Sequence, residues 1–319
     1  MVYDDPQQLT VEAVVAAAPL LQVVTAECVD CTWEVATRMM RAEPPFALLQ
    51  LRNALDVNFD GIDGTENFRS FADALADATL QPALSVLCVI GAAQPALMAA
   101  LLDAAPSRRL HELRMLNCTP PVVAPLVRLL AEDGGLLDIL NISPTLSTMT
   151  QQFDMAGAAL VADALRVNTT LTKLVLSCDP VSADMHATST LLGGLVGHPS
   201  LRELRVINND TSFVDDRIAY GAALAALIAA DAPALQVLKC ACNAFGDGGL
   251  APIVEALPLN HHLQQLDLSW NDMSKEFARH RLLPAVRANT ALRKFKCDTD
   301  ERRAARKAVR LVRRRWKLA

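Results

Sequence analysis

Six side chains in the second half of the chain are of the kinds that build recognition surfaces: Arg205, Lys239, Asp267, Trp270, Lys294 and Lys296. The charges would steer and orient a partner, and the large aromatic would anchor it. Bond-making chemistry has no comparable candidate. The histidines, at 111, 186, 198, 261, 262 and 280, show neither HxxxH nor HExxH spacing, and no P-loop, GxSxG or GxGxxG motif occurs. Cys28 and Cys31 make one CxxC without a second pair or a nearby His, and Cys240/Cys242 are the other close neighbours. Asp56, Asn58, Asp60 and Gly61 fit positions 1, 3, 5 and 6 of a calcium loop. Position 12, where the bidentate Glu belongs, is Asn67, and Glu66 falls one residue early. The same stretch also reads as a strand and helix, with Leu55 and Val57 pointing inward, Asp60 at the turn, and Phe68, Phe71, Ala72 and Leu75 on the helix. Calcium binding by 56–66 is therefore expected to be weak. Calorimetry giving a micromolar affinity that Asp56→Ala abolishes would show otherwise. No catalytic residue, metal, cofactor or small-molecule substrate is expected, and the chemistry left is that of a protein-binding surface.

The elements that position those six residues come from a repeat. LQQLDLSWN (263–271), LQVLKCACN (235–243), LRELRVINN (201–209), LTKLVLSCD (171–179) and LHELRMLNC (110–118) share the template LxxLxLxx(N/C/D). LSVLCVIGA (84–92), LDILNISPT (137–145) and LRKFKCDTD (292–300) fit it more loosely. The first leucines are spaced by 26, 27, 34, 30, 34, 28 and 29 residues. Leucines at template positions 4 and 6 point inward from a short strand of period two. A position-9 Asn, Cys or Asp can turn the chain by bonding backbone groups. Between strands, Leu250, Ile253, Val254 and Leu257 recur at helical spacing, as do Leu160, Val161, Ala164 and Leu165, and Leu224, Leu227 and Ile228. One such unit cannot bury its apolar face alone, so the units must stack.

Stacking puts positions 3 and 5 on the sheet face away from the core. Row 5 reads Cys88, Arg114, Asn141, Val175, Arg205, Lys239, Asp267, Lys296. Row 3 reads Val86, Glu112, Ile139, Lys173, Glu203, Val237, Gln265, Lys294. Arg205 and Lys239 are expected side by side with reinforcing charges, Asp267 beside Lys239, and Trp270 at position 8 on the rim. The two 34-residue units carry their extra residues just after the strand, at 143–154 and 208–217, on one rim.

A strand template followed by a helix at 28–30 residues resembles the ribonuclease-inhibitor-like leucine-rich repeats. The 243–271 unit matches best, including its Gly-Asp-Gly-Gly helix entry and Asn260 before the next strand. The resemblance covers about residues 50–300 and implies an α/β horseshoe solenoid of eight or nine units, parallel strands concave and helices convex. It implies no single function, since that fold serves nuclease inhibitors, GTPase activators, actin-filament caps, innate sensors and ciliary subunits.

Composition agrees with small repeated packing units. Of 319 residues 52% are hydrophobic and only 4% aromatic, while 49 are leucine. This excludes a disordered chain, a collagen and a disulfide mini-protein, and it argues against a module that stacks bases on aromatic rings. The net charge of -5 divides into +8 over 301–319 and -13 over the rest. In the basic end, Ala305, Ala308, Val309, Val312 and Trp316 form one helical stripe, which reads as the last cap, as a basic contact to an acidic protein partner ahead of nucleic acid or membrane, or as a nuclear-import signal. Residues 1–50 read as a helical N-terminal cap, Leu9–Ala18 and Thr32–Met40, with 20–28 as a candidate degenerate strand. LTVEAVV, LL and CVDCTW in this region also resemble an F-box, with a shorter first loop. The start has no basic n-region, and the apolar stretch from Val11 to Ala26 holds Glu12 and Pro19 and is too short to span a bilayer. The expected function is a non-enzymatic interaction or scaffold subunit of a larger assembly, cytoskeletal or axonemal assemblies included, in the cytoplasm or nucleus. The alternatives are a ubiquitin-ligase substrate receptor of F-box type and a GTPase regulator.

Overall fold

Alternation of leucine with polar residues builds strands that are apolar on one face only, and each must be covered on that face by the helix that follows it. In the computed structural model this happens along the whole described chain, which comprises residues 23–27, 37, 38, 40, 41, 48–52, 70–80, 82–90, 95–118, 122–131, 136–144, 155–177, 185–207, 214–298 and 303–315. Ten strands form one sheet in sequence order: β1 (Val23–Glu27), β2 (Leu48–Arg52), β3 (Val86–Ile90), β4 (Glu112–Cys118), β5 (Ile139–Pro144), β6 (Lys173–Ser177), β7 (Glu203–Ile207), β8 (Val237–Lys239), β9 (Gln265–Asp267) and β10 (Lys294–Lys296). Every neighbouring pair is parallel. Helices connect the strands, and consecutive helices pack on one another. The result is a stack of strand–helix units around one continuous core.

Register agrees with the template. Leu113, Leu140, Leu174, Leu204, Leu238 and Leu266 are successive backbone partners, each at most 2% exposed. The expected helical stripes are buried too, apart from Leu160, which is 54% exposed. The two ends of each unit are held by buried polar side chains. At position 9, Asn243 Nδ2 donates to the Val206 carbonyl at 2.9 Å and Asn271 Nδ2 to the Cys240 carbonyl at 2.7 Å, so each asparagine ties its unit to the one before. Where helix returns to strand, a second ladder runs through Asn168, His198, Asn260 and Asn289. Asn260 Oδ1 accepts from the backbone of His262 and Leu263, and its Nδ2 donates to the Ile228 carbonyl at 2.8 Å.

His198 stands where its neighbours have an amide. Its Nδ1 accepts from the backbone N–H of Ser200 at 3.3 Å and Leu201 at 3.1 Å, so the proton of the neutral ring is on Nε2. That Nε2 is buried toward the Leu165 carbonyl without a well-formed hydrogen bond. Burial lowers the pKa, and Leu165 only partly opposes it. A folded-state value below the unfolded one means that the unfolded chain binds the extra proton. The stability tied to neutral His198 is then complete above about pH 6.5 and is lost as pH falls below it. His198→Asn should raise stability by about 1 kcal/mol near neutrality and reduce the decline toward pH 5, read by thermal melts across that range.

Helix packing is close where two glycines face each other. A Cβ on Gly221, in Val214–Ala229, would lie 1.9 Å from the Gly249 carbonyl oxygen of Gly246–Ala256. Gly221→Ala should therefore cost about 1–3 kcal/mol or more by forcing the helices apart, measured by denaturant unfolding.

The N-terminal expectations need correction. Within 1–50, expected as a helical cap, β1 and β2 extend the sheet, and the degenerate strand read at 20–28 is real at Val23–Glu27. Thr37, Arg38, Met40 and Arg41 are helical, as expected for Thr32–Met40. β2 pairs directly with β3, so the rung expected at Leu55 and Val57 is supplied by Leu48–Arg52, with Leu49 at the register position of Leu87. The physical reason is visible in the residues. Pro44-Pro45 stops a helix, and the short apolar run after it favours a strand. The calcium-like segment 56–66, Leu9–Ala18, Trp316 and most of both extra loops lie outside the described residues.

Candidate functional site: the open sheet face and its rim

Parallel register brings rows 3 and 5 together as read. Glu203, Val237, Gln265 and Lys294 are successive backbone partners, and so are Arg205, Lys239, Asp267 and Lys296. Adjacent strands put these residues about 4.8 Å apart. β7 and β8 show the reason: their leucines are buried while the residues between them are half-exposed.

The charges do not stand as expected. Glu203 Oε1 accepts from Arg205 Nε at 2.5 Å and from Lys239 Nζ at 3.0 Å, so one row-3 carboxylate bridges the two row-5 cations. Arg205 and Lys239 therefore share a counter-charge, and Lys239 is oriented by Glu203, not by Asp267. Two half-buried cations side by side are more stable with a carboxylate between them, and Glu203 lies on the same strand face two residues from Arg205. Burial pushes the Glu203 carboxyl up, but the contacts to Arg205 and Lys239 outweigh it and hold it below its usual value. The Glu–Leu–Arg string at 112–114 repeats the device, with Arg114 Nε 2.6 Å from Glu112. Asp267 serves the rim instead: its Oδ1 accepts from the Ser269 backbone at 3.1 Å and hydroxyl at 2.7 Å, while Oδ2 lies 3.5 Å from Lys296 Nζ. Lys294 is exposed at the edge strand.

Trp270 ends the β9 unit on the rim and is 70% exposed. Its backbone is left-handed, at φ 59°, and its N–H donates to both oxygens of Asp298 at 2.8 and 2.9 Å. Cys242, at the same template position one unit earlier, has φ 60°. Sequence reasoning missed the bridging Glu203, the Asp298 clamp and the left-handed rim. Only the first had a signal, a carboxylate two residues before an arginine on one strand face.

Nucleophilic chemistry finds no support at the two neighbouring thiols. Burial, then Asp267, raises the Cys240 thiol, and burial followed by Asp267 and Asp298 raises Cys242. On the opposite edge, the Asp231 carboxylate accepts from the His261 backbone at 2.7 Å and contacts the Nδ1 atoms of His261 and His262 at 2.9 and 3.1 Å. Burial would raise this carboxyl, but those contacts hold it down at about 2. The arrangement fastens the turn into β9. Among the described residues no group of His, Cys, Asp and Glu could hold a metal ion, and no helix is long and apolar enough to cross a membrane.

No family model matches the chain, and no curated protein matches it. Among solved structures, a chain of the yeast Rad7–Elc1 complex is similar at 14% identity and a TM-score of 0.42, over 89% of this chain and 70% of that one. Actin-binding site 2 of leiomodin-1 is similar at 12% identity and a TM-score of 0.30, over 69% of this chain and 90% of that one.

Proposed function

We propose that the protein is a non-enzymatic interaction or scaffold subunit, built as a ribonuclease-inhibitor-like leucine-rich-repeat horseshoe. It binds a protein partner through the sheet face and rim of its C-terminal half. The observation that carries this reading is Trp270. An indole left 70% in water is costly in exposed apolar surface. That exposure does not benefit the fold, and its cost is offset when a partner covers the ring. Beside it, Arg205, Glu203 and Lys239 offer a pre-oriented set with one excess positive charge, and Lys294 and Lys296 extend it, which suits an acidic partner.

Affinity purification with mass spectrometry, run in parallel on wild type and Trp270→Gly, tests the reading. A partner enriched by wild type and lost in the variant is expected; identical partner sets would refute it. The same experiment separates the alternatives, since a ligase adaptor or a small GTPase would be recovered as such. The helical adaptor expected over 9–40 is interrupted by the strand Val23–Glu27.

A further inference from the structure

We infer that the C-terminal capping helix carries a second docking surface, for the phosphate backbone of a nucleic-acid duplex. The helix Arg303–Arg315 packs on β10 and on Leu283–Ala288 through Ala305, Ala308, Val309 and Val312, all buried. That apolar stripe closes the last unit of the stack. It fixes which side of the helix faces water, and that side presents Arg306, Lys307, Arg310, Arg313 and Arg314, all exposed. The five fall within an arc of about 120° and about 12 Å of helix axis. Among the described residues none of them makes an ion pair. In the adjoining 275–288 helical segment Arg279 is exposed and Arg281 is paired to Glu255 at 3.2 Å; the exposed acid there is Glu276.

Four observations select the occupant. Among the described residues this face has no apolar anchor: Phe277 and Phe295 are buried, and a protein interface built on charge alone lacks the desolvated centre that supplies affinity. Charge density matches a duplex, which offers one negative charge per about 1.7 Å of axis. An extended acidic peptide, all its side chains counted in the same way, offers at most one carboxylate per ~3.3 Å, about half that density. The helix cannot turn its apolar side to a bilayer, because that side is already the lid of the core. Four of the five cations are arginines, whose planar fork suits phosphate oxygens. Contacts of this kind hold the backbone without reading bases, so binding is independent of sequence, and the scarcity of aromatic residues is no obstacle.

The test is fluorescence anisotropy of a labelled DNA duplex of about 24 base pairs with the intact chain, from about 50 to 200 mM salt. Affinity should fall with salt at a log–log slope of about -4, as for four or five phosphate contacts. It should not change with base sequence. Arg306→Glu/Arg310→Glu/Arg313→Glu should weaken binding at least tenfold at low salt and flatten the slope, with melting unchanged. The triple Gln variant gives the same reading should the Glu variant fail to fold, and the triple Lys variant should retain most of the binding. No duplex binding at low salt, or equal binding by wild type and the Glu or Gln variant, would overturn the proposal. Tighter binding to a polyglutamate peptide or to phosphatidylserine vesicles would also overturn it and assign the face to an acidic segment or a lipid surface.

Discussion

Leu238→Ala is expected to lower stability by about 2–5 kcal/mol, the cost of a fully buried leucine whose site cannot collapse. Leu238 is buried at position 4 of its repeat, in the middle of β8, with Leu204 and Leu266 as its register partners on either side. β8, β9 and β10 are only three residues long, so each rung depends on its inward Leu238, Leu266 or Phe295 more than on ladder hydrogen bonds. Stability in a stack is roughly a sum of units and their interfaces, and the loss at β8 weakens two interfaces together. Denaturant unfolding should show the lower midpoint. A smaller slope as well would mean that the units after β7 have come to unfold separately. Val237→Ala, on the half-exposed face, is the control and should cost well under half as much. A loss below about 1 kcal/mol at Leu238 would contradict the packing described here.

The second large effect is on binding. Trp270→Ala should weaken association with the partner recovered by purification by about 2 kcal/mol or more, roughly 30-fold in Kd. Trp270→Gly should weaken it as much while keeping or raising thermal stability, because glycine adopts φ 59° without strain and little buried surface is lost. This opposition between binding and stability is the signature of an anchor, since a residue needed for the fold would lower both. Calorimetry and melts on the same preparations check it. Wild-type affinity in both variants would exclude the rim. Deleting 301–319 would not separate the two surfaces, because it strips the buried stripe that closes the stack. Charge reversal at the exposed arginines leaves that stripe in place.

Much of this arrangement is legible in the residues because a leucine every second or third place leaves the backbone few choices. Burying Leu235, Leu238 and Cys240 together requires a strand, and a strand whose inward face is set also has its outward residues set. Hence the rows through Arg205, Lys239, Asp267 and Lys296 follow from spacing alone, and so does the buried stripe of the terminal helix. The asparagines at 243 and 271 are legible for a related reason: a buried amide after a strand must bond backbone, and the neighbouring unit is the backbone at hand.

What spacing leaves open is anything that depends on where a side chain ends or how close two units come. Glu203 meets Lys239 across 36 residues of chain, and a shift of a few ångströms would have given Lys239 to Asp267 instead. The close approach at Gly221, where an added Cβ would meet the Gly249 carbonyl oxygen at 1.9 Å, reflects an interhelical distance that no single helix encodes. The strands at Val23–Glu27 and Leu48–Arg52 lack the full template and become rungs because β3 offers an unpaired edge to β2, and β2 in turn to β1. Trp270 is visible in the sequence as a rare residue at position 8, but its left-handed backbone and exposure are set by the turn between β9 and the following helix and by Asp298 of the next unit. Period and polarity along the chain thus determined which residues face the core. Contacts between units determined what the outward residues do, because their energies turn on distances that only the stacked chain defines.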